Sequence, residues 1–290
     1  MLSAFLHAPT LSFLCSSSSS PQPQPKPRPC LSSMASSSLV RIAVVGDVHD
    51  DWDLEEDANA LQFLKPDLVL FTGDFGNENL ELVQDVAALN FPKAVILGNH
   101  DSWSTQQFSS KYGIQDMEGS AKRIYEAALG TPEDHLVILL AHNGPTGLGS
   151  ELNDICGKDW VFGGGDHGDP DLAQAISNLK ETTNVSIPLV VFGHMHKELA
   201  HGNGLRKMIV VGTHNIIYLN GAIVPRVKRS TNETSLQASN SDGTYRAFTL
   251  VEILNGQVNK ISESWVSVVG NETTLEEEHI LFKSNGQSSR

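Results

Sequence analysis

The sequence predicts an α/β fold, and three observations carry that prediction. From residue 39 onward, short apolar runs alternate with longer amphipathic stretches, the pattern of strands alternating with helices. The runs are rich in Val, Ile and Leu throughout, as expected of strands covered on both faces. Four of them end alike, in a Gly followed by polar side chains.

Taken in order, apolar β-branched runs predict strands at 40–45, 68–71, 94–97, 136–141, 189–192 and 208–211, with a last one at 246–254. Between them, apolar residues recur three and four apart at 54–64, 79–89, 120–129 and 171–179, which predicts helices with one face on a sheet. Residues 228–243, KRSTNETSLQASNSDG, read as a polar loop excursion inside a domain spanning 39–272. Residues 273–290 read as a loosely attached tail. At 290 residues, one large layered domain with tails accounts for the chain.

Residues 1–38 are a different kind of sequence: rich in Ser and Pro, free of Asp and Glu, with Lys26 and Arg28 as the only charges. That composition predicts a disordered organelle-targeting leader, for a plastid first, with a mitochondrion as the alternative. A second Met-Ala-Ser start at Met34 leaves a cytosolic form open. Cys15 and Cys30 fall in this leader, so Cys156 alone remains in the domain and no internal disulfide is expected there.

The net charge is −14; setting aside Lys26 and Arg28 leaves 18 basic against 34 acidic residues, or −16. Such a balance argues against binding extended nucleic acid, which needs a basic track. Bound divalent cations would offset part of it, although a solvated acidic surface has the same composition. No apolar run approaches the roughly 18 residues needed to cross a bilayer, so no membrane partner is expected.

The chemistry lies at the ends of the apolar runs. IAVVGDVH, LVLFTGD, AVILGNHD and LVVFGHMH deliver Asp47, His49, Asp74, Asn99, His194 and His196, and LVILLAH delivers His142. Ligands of layered α/β proteins bind where strands end, and a Gly there lets the backbone turn without a Cβ clash. Carboxylates, an amide and imidazoles with no thiolate suit manganese, iron or zinc. Seven donors exceed what one ion uses and suffice for two, spaced about 3.5 to 4 Å apart as in metal-assisted phosphoryl hydrolysis.

The series GDVH, GD, GNHD, a lone His and GHMH, in this order, resembles the calcineurin-like metallophosphoesterase superfamily over residues 42 to about 220. The resemblance implies a four-layer αββα sandwich of two mixed sheets flanked by helices. It implies that Asp47, His49 and His196 hold one metal, that Asn99, His142 and His194 hold the other, and that Asp74 bridges them. It makes His100 the catalytic acid–base group, with Asp101 positioned to orient it, and implies hydrolysis of a phosphomonoester or phosphodiester by a metal-activated hydroxide. A small phosphorylated molecule or nucleotide is the expected substrate, and a non-catalytic metal-bound scaffold for protein–protein interaction is the alternative.

Two departures narrow the reading. In GDFGNE, Asn77 and Glu78 stand where Ser/Thr protein phosphatases of this kind carry Asp-Arg, and Asn77 stands where purple acid phosphatases carry a Tyr ligand. The usual Gly after the first metal His is Asp50, with Asp51 next, which adds negative charge near the phosphate entrance. Other residues leave two readings open. The loop FGGGDHGDP, with Asp166, His167 and Asp169, is either a lid over the metals or a turn in which Asp169 or Asp171 caps a helix. Lys197 and Arg206 either meet substrate phosphate or lie on the surface, and Trp52 and Trp103 are pocket walls or core. His201 and His214 lie outside the motifs and are expected on the surface or in the core.

Overall fold

The computed structural model of the chain describes residues 4–7, 38–102, 116–132, 135–229 and 243–284. Apart from Ser38 and the short stretch 4–7, the 1–38 leader lies outside the described residues, as do Trp103, most of the 228–243 excursion and the last six positions of the chain.

Among the described residues, twelve strands form two mixed sheets. The first orders β1 (Ala4–His7), β5 (Leu136–Leu140), β6 (Ser186–Phe192), β8 (Ile217–Asn220) and β7 (Ile209–Val211). Its strands β5, β6 and β8 run parallel, with β1 and β7 antiparallel at the edges. The second orders β12 (Glu272–Lys283), β11 (Gln257–Val269), β10 (Thr244–Leu254), β2 (Leu39–Val45), β3 (Leu68–Phe71) and β4 (Lys93–Val95), with β9 (Val227–Arg229) also on β10. There β2, β3 and β4 are parallel and the rest antiparallel.

Period-2 alternation assigns each strand a side chain to either face, and that builds four layers. Ile42 and Val44 of β2 meet Ile138 and Leu140 of β5 and Leu189 and Val191 of β6 in the cluster between the sheets. The alternate residues Ala43 and Val45 face helices α1 (Leu54–Leu64) and α2 (Leu80–Ala88). On the opposite side, Val137, Leu139 and Val190 face α3 (Met117–Leu129) and α4 (Pro170–Thr182). The expected αββα sandwich is therefore the observed architecture. No helix among the described residues is long and apolar enough to cross a membrane.

Helix starts follow local chemistry. Asp53, Asn79 and Asp116 each accept a hydrogen bond from a first-turn backbone amide of α1, α2 and α3 respectively. Helix α4 departs from the expected capping. Asp169 occupies its N-cap position without capping it, and accepts instead from Asn143 Nδ2 at 3.3 Å, while Asp171 accepts from Leu172 N.

Burial, and after it the Asp171 carboxylate, pushes the Asp169 carboxyl up to about 6. A carboxyl raised in the fold leaves stability intact below its unfolded value and removes it as pH rises towards the folded one. Asp169→Asn is thus expected to stabilise the protein by about 1 to 3 kcal/mol at pH 8 and by nothing at pH 4. Thermal melts of both proteins at the two pH values check this, and an equal difference at both would refute it.

The 273–290 tail is corrected by strand β12, which pairs along most of its length with β11. The signals lay in the two hairpin turns. Asn255-Gly256, both at positive φ, joins β10 to β11, and Gly270-Asn271, with Gly270 at φ 57°, joins β11 to β12. Tail-like polarity arose because β12 is an edge strand whose Glu276, Glu277 and Glu278 face solvent, a charged edge that resists further pairing. The excursion likewise starts later than expected, because Lys228 and Arg229 belong to β9.

Candidate metal centre

The C-terminal ends of β2, β3 and the segment after β4 in one sheet, and of β5 and β6 in the other, converge at one edge of the sandwich. Asp47, His49, Asp74 and His194 adopt positive φ of 48°, 46°, 53° and 68°. Such backbone is strained for any residue but Gly and persists only where the surroundings enforce it, as at functional sites. Enforcement here comes partly from close approach: a Cβ on Gly193 would lie 2.2 Å from Asp47 Oδ1 and 2.3 Å from Thr72 Oγ1.

Six of the seven expected donors form two groups, Asp47–His49–His196 and Asp74–His142–His194, in which one donor atom of each lies within 4.8 Å of the others. In the first, His49 Nε2 is 3.0 Å from His196 Nε2, and His196 Nε2 is 3.5 Å from Asp47 Oδ2. In the second, His142 Nε2 is 3.2 Å from His194 Nδ1 and 3.5 Å from Asp74 Oδ2. The seventh donor, Asn99, places Oδ1 2.9 Å from His142 Nε2. Asp74 Oδ2 lies between the groups, 3.9 Å from His49 Nε2 on the other side.

These distances fit cations. His142 Nδ1 donates to the Thr72 carbonyl at 2.8 Å, which leaves Nε2 as the ring atom facing the Asp74 carboxylate and Asn99 amide oxygens, where a cation would sit. Asp47 Oδ2 is fully buried with no hydrogen-bond partner, a costly state for a carboxylate oxygen unless a positive charge meets it. The other carboxylate oxygens are already oriented: His194 N donates to Asp47 Oδ1 at 3.0 Å and His100 N donates to Asp74 Oδ1 at 2.9 Å.

Protonation favours the same reading for most donors. Burial, followed by the charge of His142, holds His194 down at about 4, so its ring is neutral at physiological pH. His49 is likewise lowered, chiefly by burial. Burial also tends to lower His196, but the Asp47 carboxylate facing it at 3.5 Å outweighs burial and raises His196 above its ordinary value. A proton on His196 must therefore leave when a cation binds. Metal affinity is expected to rise with pH, and calorimetry of manganese binding in buffers of different ionisation enthalpy should show proton release at pH 6.5; none would count against it.

His100 is held at Nδ1 by Asn77 Oδ1, 3.0 Å away, and its ring is 5.0 Å from that of His49. This corrects the role expected of Asp101. Asp101 Oδ1 accepts from Phe75 N and Gly76 N, and its Oδ2 accepts from Gly98 N, so it ties the Asp74 loop to the Asn99 loop by their backbones. Asn77, legible in the sequence only as a departure, holds the Nδ1 side of His100.

The two open cations are also placed. Lys197 Nζ lies 2.6 and 2.7 Å from the carboxylate of buried Glu263. Arg206 is 4% exposed and donates to the carbonyls of Leu152, Asp154, Gly157 and His196 while pairing with Asp159 at 3.2 Å. Neither is a surface residue or a phosphate clamp; no local sequence pattern marks either role. Asp50, at φ 67° where Gly is usual, accepts from Asn79 Nδ2 at 2.8 Å. Trp52 packs edge-on against Phe71 within the α1 and α2 cluster, while His201 and His214 are exposed and outside the centre.

Residues 40–198, more than half of the chain, match the family model for calcineurin-like phosphoesterases. The chain belongs to the calcineurin-like phosphoesterase family. No curated protein matches it significantly. Among solved structures, a predicted phosphoesterase from Streptococcus pneumoniae shares 16% identity, covering 84% of this chain and 98% of its own, at a TM-score of 0.36. A dimetal phosphatase from Danio rerio shares 10% (84% and 99% covered, TM-score 0.42), and Vps29 from Chaetomium thermophilum shares 12% (87% and 100% covered, TM-score 0.35).

Proposed function

We propose that this protein is a dinuclear-metal phosphoesterase that hydrolyses a phosphomonoester or phosphodiester of a small molecule or nucleotide. The observation that carries this is the position of Asp74 Oδ2, within 4 Å of an imidazole from each donor group, where one carboxylate oxygen can serve two ions. Asp47, His49 and His196 would hold one ion and Asn99, His142 and His194 the other, with Asp74 between them. Manganese, iron and zinc suit these hard and borderline donors.

When bound, two such cations supply Lewis acidity, lowering the pKa of water from near 16 to about 7 and offsetting phosphoryl charge. The chain's own residues supply the rest. Backbone amides of His100 and His194 aim the two carboxylates, and the Thr72 carbonyl fixes the His142 tautomer. With Nδ1 engaged by Asn77, His100 uses Nε2 to give a proton to the departing ester oxygen. Family membership supports this reading, and so does the retention of His100, which a scaffold would have no need to keep.

The test strips metals from the full chain, adds back manganese, iron or zinc, and follows hydrolysis of p-nitrophenyl phosphate and bis-p-nitrophenyl phosphate. Metal-restored turnover is expected, and its ratio ranks monoester against diester. Binding of two ions per chain without turnover of either ester would replace this reading with the metal-bound scaffold.

A further inference from the structure

The loop from Ser150 to Pro170 presents aromatic side chains beside the metal centre, and it is built to hold them still. Its interior is filled by Arg206, whose guanidinium takes the carbonyls of Leu152, Asp154 and Gly157. Lys158 N donates to Gly165 O, Gly165 N to Ser150 O and His167 N to Cys156 O, at 2.8, 2.7 and 2.8 Å. Asn143 Nδ2, next to His142 in the chain, donates to the His167 carbonyl at 2.7 Å and so fastens the loop to the end of β5.

On this frame the His167 ring stacks on the His194 ring at 5.3 Å and 25°, and the Trp160 ring meets His167 edge-on at 5.0 Å and 89°. Two rings, His167 and Trp160, thus lead outward from the metal-ligand candidate His194. Trp160 is 52% exposed and Phe162, two residues on, is fully exposed. Apolar rings held in water by a rigid loop at the mouth of a site mark a binding surface rather than a core.

The rest of the rim says what kind of group would use it. Lys197 and Arg206 are committed to Glu263 and to the loop, and the Asp50 carboxylate is turned to Asn79 Nδ2 at 2.8 Å. Neither Lys197 nor Arg206 is left to hold a second substrate phosphate, whereas a planar ring beside a single phosphate would gain contact with Trp160. Resting on the phosphoesterase reading, we propose that Trp160 is a specificity-determining residue that stacks the base of a nucleoside phosphate whose phosphoryl group lies at the metal centre.

The experiment titrates manganese-loaded full-length protein calorimetrically with adenosine 5′-monophosphate and with ribose 5-phosphate, which differ only in the base. The nucleotide is expected to bind about tenfold tighter, a gap typical of one base on one aromatic ring. Trp160→Ala should remove most of that gap, and Trp160→Phe should restore it without altering ribose 5-phosphate binding; Phe162→Ala, at a position with no packed neighbours to disturb, should narrow it. Equal binding of the two ligands, binding of neither, or an unchanged gap in Trp160→Ala would overturn the proposal. Hydrolysis of p-nitrophenyl phosphate and bis-p-nitrophenyl phosphate by the same preparations reports on the phosphoesterase reading separately, since that reading fails only if metal-restored turnover of both esters is missing.

Discussion

Gly98→Ala is expected to weaken metal binding by about 10- to 100-fold or more, the loss typical when the shell supporting the ligands is disturbed. Gly98 has no positive φ, so the backbone itself tolerates a side chain. The obstacle is space. A Cβ there would lie 2.1 Å from Asp74 Oδ1, 2.6 Å from Asp74 N and 2.6 Å from His142 Cε1. Asp74 N belongs to a strand end that cannot retreat cheaply, so the Asp74 carboxylate and the His142 ring must move, and both belong to the same donor group. Overpacking of this kind also costs about 1 to 3 kcal/mol of stability. Elemental analysis and manganese calorimetry on the purified variant check the expectation, and wild-type affinity in a folded Gly98→Ala protein would refute it.

His100→Ala should separate catalysis from metal binding. The His100 side chain belongs to neither donor group, and its contribution to Asp74 comes from the backbone amide, which alanine retains. Metal content is therefore expected to stay near two per chain while kcat falls by about 10²- to 10⁴-fold, the usual contribution of a positioned acid. Asn77→Ala removes the amide that holds Nδ1 of the ring and leaves the ring itself, so a smaller loss, about tenfold, is expected with KM little changed. Loss of metal in His100→Ala, or an undiminished kcat, would mean that His100 does other work.

Much of this was legible in the chain because it is written in contiguous residues. Apolar residues three and four apart marked 54–64, and helix α1 spans Leu54–Leu64. The apolar run at 68–71 is strand β3, Leu68–Phe71. Gly followed by Asp, Asn or His after such a run marks a strand end with donors, and all seven donors do meet at one edge. The hairpin of β11 and β12 was missed because the charges of 276–278 outweighed two short turn signals in a polar stretch.

By itself the sequence determined the α/β class, the strand ends that carry metal-capable side chains and the family to which the chain belongs, since each depends on spacing within a few residues. Only the tertiary structure decided which group holds Nδ1 of His100, where Lys197 and Arg206 direct their charge, and that Trp160 and His167 extend the centre outward. The physical reason is sequence distance. His100 lies 23 residues from Asn77, Lys197 lies 66 from Glu263 and Arg206 lies 49 from Gly157, and pairings over such separations are set by how the layers pack.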